Sequence, residues 1–455
     1  MSKINSINPA NAQINASFDT ISNKDALLCA KRAHDAYEKW SALKLEERAL
    51  KINALSNVLI ANKQKYAQLM TLEMGKPIGQ SIAEIEKCAA TARLFSKNAS
   101  QWLKDENVLS QDAEKYITFS PIGTILAIMP WNFPFWQAMR MAIPSLVLGN
   151  SVILRHSNTV PMCSLAIQSA FEQAGISNGV FTSIICDHNA IRPLLKSDNI
   201  QGVSLTGSEK AGSEVAKIAG RYIKKAVLEL GGSDPFIVLE DAQVEFACQK
   251  AKDARNLSSG QSCIAAKRFI VSKGVYDDFV GRLKDLTERT IVGDPMNMST
   301  EIGPLANKEQ LAKISMQVED AKNKGAKIEC GAERIEGEGY YYKPTLITGV
   351  KKNMLVLKEE VFGPISPVVM AKDDDDAIRI ANSSRLGLGA SIWTEDRQKG
   401  KMLARKLDAG IVYVNGIVRS DPSLPFGGVK ASGIGRELSR YGMLEFANIK
   451  PIVVS

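Results

Sequence analysis

Apolar residues recur every three or four positions over residues 24–70 and 77–104, the spacing that places them on one face of an α-helix. From residue 116 the pattern changes to short apolar runs, which are bounded by Gly, Pro or Asn and separated by helical segments such as 207–220. These runs are YITFSPIGTILAIMP, SVILRHS, GVFTSIIC, GVSLTGS and KAVLELGG. Such runs, alternating with helices, predict βαβ units in a parallel sheet that is buried on both faces.

A second series of the same kind follows Gly231 and Gly232. Its predicted strands are DPFIVLE, AAKRFIVS and PISPVVMA, and its predicted helices are 241–256, 275–289 and 308–325. A chain of 455 residues is longer than one domain of roughly 100–200 residues. We therefore predict two α/β domains that meet near residue 231.

Charge and cysteine content narrow the class of protein. The 57 Lys and Arg against 49 Asp and Glu give a net charge of +8, but the basic residues are dispersed. This favours a solvated surface and an anionic small ligand over a nucleic acid. The polar start and the lack of an apolar stretch of roughly 18 residues predict a cytoplasmic protein without a membrane partner. Seven scattered cysteines without a CxxC pair predict reduced thiols and no zinc site.

Three stretches hold candidate catalytic side chains. In PWNFPFWQAMR, 130–140, the Asn132 amide could donate to a developing oxyanion or serve only a turn. In VLELGGSDPF, 227–236, burial would raise the pKa of Glu229 toward that of a general base, unless it caps a turn. In LSSGQSCIAAKRF, 257–269, Cys263 is either a nucleophile or a small buried hydrophobe. The Cys263 backbone N–H could be a second oxyanion donor.

Two glycine-containing stretches, KEEVFGPI (358–365) and PFGGVKASGIGRE (425–437), complete the set. In this order and at these separations, the stretches resemble the aldehyde dehydrogenase superfamily over nearly the whole chain. The resemblance implies that Cys263 is the nucleophile and Glu229 the general base, with Asn132 as the oxyanion donor beside the Cys263 N–H.

The resemblance also implies a fold and its division. The fold is α/β, with two Rossmann-like doubly wound parallel-sheet domains and a small bridging and oligomerisation element. The implied bounds are 1–102 and 122–230 for the cofactor-binding domain, 231–431 for the catalytic domain, and 103–121 and 432–455 for the bridging element.

Cofactor positions carry over from the same resemblance. Gly207 and Ser208, in the turn SLTGSEKAG, match a pyrophosphate site at a helix N-terminus. The other matching positions are Trp131, Arg155, Ser157, Asn158, Glu360 and Phe362. NAD-selective relatives carry an acidic residue at the position of Asn158, and Arg155 and His156 lie near it. We therefore expect NADP to be used, as well as NAD.

The stretches RHSN, LELGGSDPFIVL and AAKRFIV are most similar to bacterial NAD(P)-dependent succinate semialdehyde dehydrogenases. The distal carboxylate of such a substrate needs a cation, and Arg140 matches a carboxylate-binding arginine of these enzymes. Arg255 is a second candidate, Ser420 matches a family hydroxyl, and Arg419 could add charge or only line the entrance. The tail NIKPIVVS resembles a strand exchanged between subunits, which predicts a homo-oligomer, a dimer or tetramer.

Other functions stay open at this point. Within the family, the alternative is a broad-specificity aliphatic or a glutarate semialdehyde dehydrogenase, whereas Glu229 disfavours a CoA-acylating relative. A non-catalytic protein on the same fold would be expected to lack Cys263, Glu229 or Asn132, and all three are present. A cysteine hydrolase needs a histidine partner, and the only three histidines lie apart from the other catalytic signals.

Overall fold

A computed structural model describes residues 2–110 and 112–455 as a mixed α/β chain. The strands are β1 (Lys3–Asn8), β2 (Gln13–Asp19), β3 (Glu106–Val108), β4 (Glu114–Pro121), β5 (Thr124–Met129), β6 (Ser151–His156), β7 (Phe181–Ile184), β8 (Gly202–Thr206), β9 (Lys225–Glu229), β10 (Asp234–Val238), β11 (Ala266–Ser272), β12 (Lys327–Cys330), β13 (Thr345–Thr348), β14 (Ile365–Ala371), β15 (Leu386–Gly387), β16 (Gly389–Trp393), β17 (Ile411–Val414), β18 (Val429–Lys430), β19 (Gly433–Ile434) and β20 (Ala447–Val454).

The α-helices are α1 (Asn23–Ser41), α2 (Leu45–Ala61), α3 (Lys63–Met74), α4 (Ile78–Trp102), α5 (Pro134–Leu148), α6 (Pro161–Gln173), α7 (Ile191–Lys196), α8 (Glu209–Arg221), α9 (Val244–Asn256), α10 (Tyr276–Glu288), α11 (Lys308–Asn323), α12 (Leu355–Lys358), α13 (Asp374–Asn382), α14 (Arg397–Ala404) and α15 (Ser439–Leu444). Among the described residues, no helix combines the length and the apolar character that crossing a membrane requires.

The first large sheet has six strands in the order β19-β9-β8-β5-β6-β7. Every neighbouring pair is parallel except β19 with β9. Strands β5, β6 and β8 are buried along their whole length, because helices cover both faces. Residues of α1, α7 and α8 belong to the core on one face, and residues of α2 to α6 belong to the core on the other. This is the doubly wound arrangement that the apolar runs predict.

The second large sheet has seven strands in the order β12-β13-β14-β11-β10-β16-β17, and only β12 is antiparallel to its neighbour. Its two faces pack into separate hydrophobic cores, one with α9 and α10 and the other with α13 and α14. The predicted α/β class with parallel sheets is confirmed.

A third, antiparallel sheet has the order β20-β4-β3, with register from Ala447 opposite Pro121 to Val454 opposite Glu114. Within the described chain β20 is an edge strand, and its Ile449, Val453 and Val454 side chains are exposed. Strand β19 pairs with β9 in the six-stranded sheet, whereas the resemblance implies that all of residues 432–455 belong to the bridging element. The domain bounds stay a prediction.

Three chain segments meet between the two large sheets. Residues 130–133 follow β5, β9 ends at Glu229, and residues 257–265 lead into β11. A hydrogen bond from Asn132 Nδ2 to the Gln261 carbonyl oxygen, 3.0 Å, joins the first segment to the third. The ends of these strands therefore bring the polar residues of distant stretches to one place.

Candidate active site

The turn that carries Cys263 has an unusual backbone. Ser258 and Ser259 have φ values of 54° and 55°, and Gly260 follows with 75°, so three successive residues are left-handed. A Cβ on Gly260 would lie 2.4 Å from the carbonyl carbon of Gly363, which only a glycine avoids. Since the left-handed conformation costs a non-glycine residue about 1–2 kcal/mol, tertiary contacts must hold this turn. The turn ends with a Cys263 backbone N–H that makes no hydrogen bond within the described residues.

The Asn132 side chain is buried and fixed at both ends. Its Oδ1 accepts a hydrogen bond from Gln137 Nε2, 3.0 Å, and its Nδ2 donates to the Gln261 carbonyl oxygen, 3.0 Å. Because Gln137 holds the carbonyl oxygen of the amide, the amide nitrogen must face the Cys263 turn. One N–H of this nitrogen remains available for a second acceptor.

Glu229, the last residue of β9, has a side chain that is only 2 % exposed. Neither carboxyl oxygen makes a hydrogen bond with another described residue, and Oε2 lies 3.9 Å from Arg140 Nη2. Burial raises the pKa of Glu229 well above its usual range, although Arg140 opposes the shift. A carboxyl group in this condition is suited to accept and return a proton.

Arg140, on α5, is engaged by several groups. Its Nε pairs with the buried Glu437, its Nη2 donates to Thr206 Oγ1, 3.2 Å, and the guanidinium carbon lies 4.7 Å from the centre of the Phe426 ring. The Glu229 carboxylate is its second acidic neighbour. Two acidic side chains therefore lie beside the one guanidinium of Arg140, Glu437 in direct contact and Glu229 at 3.9 Å.

The electrostatics of the Cys263 thiol follow from burial and its charged neighbours. Burial raises the pKa of Cys263 to about 11, whereas Arg140 and Lys267 lower it. Lys267 Nζ donates to the Cys263 carbonyl oxygen, 2.6 Å, and lies 3.1 Å from Glu360 Oε1. The thiol is thus protonated at neutral pH in this state, and a base must remove its proton before it can act as a nucleophile.

A cavity of about 170 Å³ opens over Cys263. Water takes about 30 Å³ per molecule in the liquid, so the cavity has room for a small organic molecule. Arg140, Trp136 and Ser420 are among its lining residues, and so is Lys87. Ser420 Oγ accepts hydrogen bonds from Lys87 Nζ, 2.6 Å, and Trp136 Nε1, 3.0 Å. The exposed Arg419 lies at the same cavity.

Arg255 lies elsewhere. Its guanidinium donates to the carbonyl oxygens of Ala266, Gly260 and Val361 at 2.8, 2.5 and 3.4 Å. It does not line the cavity, whereas Leu257 does. These contacts tie the Cys263 turn to β11, which makes Arg255 a structural residue in this geometry rather than a substrate ligand.

The predicted nicotinamide-side residues lie together. The Trp131 and Phe362 rings pack edge to face, with centroids 5.7 Å apart. Glu360 Oε1 accepts a hydrogen bond from the Gly232 N–H, 3.1 Å. At the other predicted contact, Ser208 caps α8 by accepting from Ala211 N, 3.2 Å.

The predicted adenosine-side residues lie at the end of β6. Arg155 Nη2 donates to Asn158 Oδ1, 3.0 Å, and no carboxylate within the described ranges lies within 4.0 Å of its guanidinium. Ser157 donates its backbone N–H to His156 Nδ1, and its hydroxyl contacts Thr159 Oγ1 at 3.2 Å. His156 Nε2 therefore carries the proton and bonds the Pro134 carbonyl oxygen, 2.9 Å.

This arrangement contradicts the expectation that His156 adds positive charge near Asn158. Burial lowers the pKa of His156 to about 4, so the ring is neutral and faces the interior. Of the two cationic candidates near Asn158, Arg155 alone keeps a charge.

Sequence reasoning did not select Gln137, Lys267 or Lys87. Lys267 does have a sequence signal, because it interrupts the apolar strand AAKRFIVS four positions after Cys263. Lys87 has one as well, since Gln80, Glu84 and Lys87 recur at helical spacing and all line the cavity. Gln137 has none that distinguishes it from an ordinary helix residue.

Comparisons with known proteins agree on one family. The sequence pattern of the aldehyde dehydrogenase family matches residues 1–452. The chain is 43% identical over 452 residues to a probable succinate-semialdehyde dehydrogenase (NADP(+)) of Synechocystis sp., and the alignment covers 99% of this chain and 100% of the relative. It is 41% identical over 458 residues to succinate-semialdehyde dehydrogenase (NADP(+)) 1 of Mycobacterium tuberculosis, covering 99% and 100%.

A solved structure gives the same result. The crystal structure of succinic semialdehyde dehydrogenase from Streptococcus pyogenes, in complex with NADP+ as the cofactor, superposes with a TM-score of 0.97. The two chains are 33% identical, and 99% of each is covered.

Proposed function

This chain belongs to the aldehyde dehydrogenase family, and we propose that it oxidises succinate semialdehyde to succinate, with NADP+ as the preferred hydride acceptor and NAD+ as a second one. The observation that carries the proposal is the small cavity that joins the Cys263 thiol to a wall with cationic and hydroxyl groups. The names of the relatives support the same substrate and cofactor.

In the first half of the proposed reaction, Glu229 accepts the thiol proton and Cys263 Sγ forms a bond to the aldehyde carbon. The negative charge that develops on the aldehyde oxygen is stabilised by the Cys263 N–H and the free N–H of Asn132. Donors that are already oriented need no reorganisation in the transition state, so their stabilisation acts fully on the barrier. A bound nicotinamide would supply the hydride acceptor, and loss of hydride from the former aldehyde carbon would leave a thioester on Cys263.

Glu229 releases the thiol proton to solvent before the second half. It then takes a proton from a water molecule while the water oxygen bonds to the acyl carbon. The carbon–sulfur bond breaks, the thiolate leaves, and the product is a carboxylic acid. The same two donors stabilise the second oxyanion. The raised pKa of Glu229 suits both halves, because a base that is too weak could not accept either proton.

The donor set of the chain fits a nicotinamide dinucleotide with a 2′-phosphate. The Arg155 guanidinium has no carboxylate partner among the described residues, and Asn158 adds no negative charge beside it. The N-terminus of the 13-residue helix α8, which begins after Ser208, presents backbone N–H groups that could bind the pyrophosphate. Glu360, which is 21% exposed, could accept from ribose hydroxyls, and Trp131 and Phe362 would flank the nicotinamide. Ser157 and Gly207 complete the proposed cofactor contacts.

Arg140 and Ser420 line the cavity and are proposed to contact the substrate there. Arg255 is not kept as a contact, because three carbonyl oxygens already engage its guanidinium.

Assembly, domain bounds and location also belong to the proposal. The free edge of β20 with its exposed Ile449 and Val453 supports a homo-oligomer that extends this sheet. Light scattering during gel filtration measures the subunit number, and a monomer would contradict a homo-oligomer.

The two large sheets support the proposed domain bounds, which are 1–102 with 122–230, 231–431, and 103–121 with 432–455. Seven free cysteines support the reducing cytoplasm.

The test is a comparison of aldehydes and nucleotides by absorbance of the reduced nicotinamide. We expect kcat/KM for succinate semialdehyde to exceed that for butanal, an uncharged aldehyde of similar length, by at least about tenfold. We also expect a higher kcat/KM with NADP+ than with NAD+. Equal values for the two aldehydes would indicate a broad-specificity enzyme, and no oxidation of either would indicate a non-catalytic protein.

The matched pair Asn158→Glu and Asn158→Gln tests the nucleotide assignment. The new carboxylate should repel a 2′-phosphate and shift the preference toward NAD+, whereas the neutral amide should leave NADP+ preferred. Nucleotide binding measured by calorimetry, without any aldehyde, gives a second readout. Strong selectivity for NAD+ that Asn158→Glu does not change would refute the role of Asn158.

A further inference from the structure

One wall of the cavity holds a cation that the reaction scheme above does not use. Lys87 lies on α4, and its Nζ donates to Ser420 Oγ at 2.6 Å and lies 4.0 Å from the centre of the Trp136 ring. Lys87, Trp136 and Ser420 all line the same cavity as Cys263. This partly buried ammonium is therefore within the space where a substrate would lie.

Of the described cations that line the cavity, Lys87 and Arg419 have no carboxylate partner, and of these two Arg419 is exposed to water whereas Lys87 is partly buried. Arg140 is paired with Glu437 and lies near Glu229. Lys76 is paired with Glu84, and Lys267 with Glu360. For Lys87, no Asp or Glu oxygen of residues 2–110 and 112–455 lies within 4.0 Å of Nζ. A partly buried ammonium without a counter-ion is costly, and a bound anion would offset that cost.

The free hydrogen-bond donors of Lys87 and Ser420 also favour a bound anion. Lys87 Nζ has three N–H donors, and one of them is used by Ser420 within the described structure. Ser420 Oγ accepts from Lys87 and from Trp136 Nε1, so its own O–H remains free to donate. Two ammonium N–H groups and one hydroxyl are thus available to the two oxygens of a carboxylate.

Arg140 is less well placed to supply the counter-charge. Its guanidinium is already paired with Glu437, and Glu229 lies 3.9 Å from it. A substrate carboxylate at Arg140 would have to compete with Glu437, which already pairs with this guanidinium. Arg140 is better suited to hold Glu229 and Glu437 in position, and it can add a hydrogen bond to the substrate without neutralising it.

We propose that Lys87 is the specificity-determining cation of this enzyme, and that its ammonium, together with the Ser420 hydroxyl, binds the distal carboxylate of a short acidic semialdehyde. This inference rests on the proposed function, because it needs an aldehyde that reacts at Cys263. It makes Arg140 a positioning residue for the catalytic carboxylate.

The surroundings of Lys87 add a pH dependence. Burial lowers the pKa of Lys87 to about 8, and Arg140 lowers it further, whereas Cys88, Glu84 and Asp421 raise it. The ammonium is charged below this pKa and neutral above it. KM for an acidic semialdehyde should therefore rise as the pH increases through about 8, while KM for butanal should not follow the same curve.

The main experiment compares Lys87→Met with Lys97→Met, an exposed lysine on the same helix. Methionine keeps the unbranched shape and removes the charge. We expect Lys87→Met to lower the ratio of kcat/KM for succinate semialdehyde to kcat/KM for butanal about ten- to hundredfold, mainly through KM. Lys97→Met should leave this ratio unchanged. Thermal unfolding of each variant confirms that it is folded.

Two further variants separate the possible outcomes. Lys87→Arg should keep much of the ratio and abolish the rise of KM near pH 8, since a guanidinium stays charged. Arg140→Met should lower kcat for both aldehydes. If Arg140→Met alone removes the preference and Lys87→Met retains it, Lys87 is not the anchor although the enzyme still prefers the acidic substrate. If the unmodified enzyme shows no such preference, the proposed function itself is wrong.

Discussion

The two ends of the proposed site are built in different ways. The inner end consists of Cys263, which lines the cavity, and the neighbouring Asn132 and Glu229, and all three come from segments that border strands. The Cys263 N–H and both Glu229 oxygens have no hydrogen-bond partner within the described chain. At the outer end, Lys87 and Ser420 are bonded to each other across 333 positions of the sequence. The reacting centre therefore contains polar groups without a hydrogen-bond partner. The end that would select the substrate contains a hydrogen-bonded pair with donors that are still free.

The difference has an energetic basis. A buried carboxylate or N–H without a partner costs stability, so it persists only where the surrounding fold holds it in place. Strands buried on both faces give this support at the inner end. The outer end relies on side chains from α4, α5 and one loop, which can change without disturbing either sheet. Changes at the inner end should therefore affect all aldehydes, and changes at the outer end only acidic ones.

The largest effect is expected at the nucleophile. Cys263→Ala should abolish NADPH formation with succinate semialdehyde and with butanal, because no other cysteine of the described residues lines the cavity. Nucleotide affinity and melting temperature should stay close to those of the unmodified protein, since Cys263 is small and only half-buried. Cys330→Ala, at another half-buried cysteine, is the control and should keep full activity. Near-normal turnover in Cys263→Ala would contradict the assignment of Cys263 as the nucleophile.

The next largest effect is expected for Glu229→Gln, which keeps the shape of the side chain and removes the base. Steady-state turnover should fall roughly 10²- to 10⁴-fold with both aldehydes. Rapid mixing should show a burst of NADPH followed by slow turnover, and mass spectrometry should detect the acyl group on Cys263. A uniformly slow reaction without a burst or adduct would contradict a role in hydrolysis.

Removing one oxyanion donor should have a smaller effect. Asn132→Ala should lower kcat roughly 10²- to 10³-fold, which corresponds to about 2.7–4 kcal/mol. The factor should be the same for both aldehydes, because the oxyanion forms on the reacting carbonyl of each. Gln137→Ala, which frees Asn132 Oδ1, should produce a weaker fall in kcat. A change in KM alone would mean that Asn132 contributes binding and no transition-state stabilisation.

The sequence was sufficient for the fold and much of the inner end. Apolar runs bounded by Gly, Pro and Asn predict buried strands, and the segments at their ends hold Asn132, Glu229 and Cys263. Parallel strands end at the same edge of a sheet, which gives a physical reason for such residues to meet. The roles of these three residues stay a proposal, although the structure does bring them together.

The outer end could not be predicted, because its properties depend on partners that are distant in sequence. Arg140 has the residue type and spacing of a carboxylate ligand, yet only the structure reveals that Glu437 pairs with it and that Glu229 lies beside it. His156 stands beside Arg155 in the sequence, but its ring points inward and is neutral. Strand alternation places neighbouring residues on opposite faces, and charge pairing across domains has no local signal.

The smallest effect is expected at Ser420, and it tests the outer end most finely. Ser420→Ala removes the free hydroxyl donor and also the acceptor shared by Lys87 and Trp136. One hydrogen bond is worth about 0.5–1.5 kcal/mol, so kcat/KM for succinate semialdehyde should fall about two- to tenfold relative to butanal. Ser423→Ala, an exposed serine of the same loop, is the control and should leave this ratio unchanged. Equal losses on both aldehydes would mean that Ser420 supports packing, and a loss greater than that of Lys87→Met would transfer the main role from the ammonium to the hydroxyl.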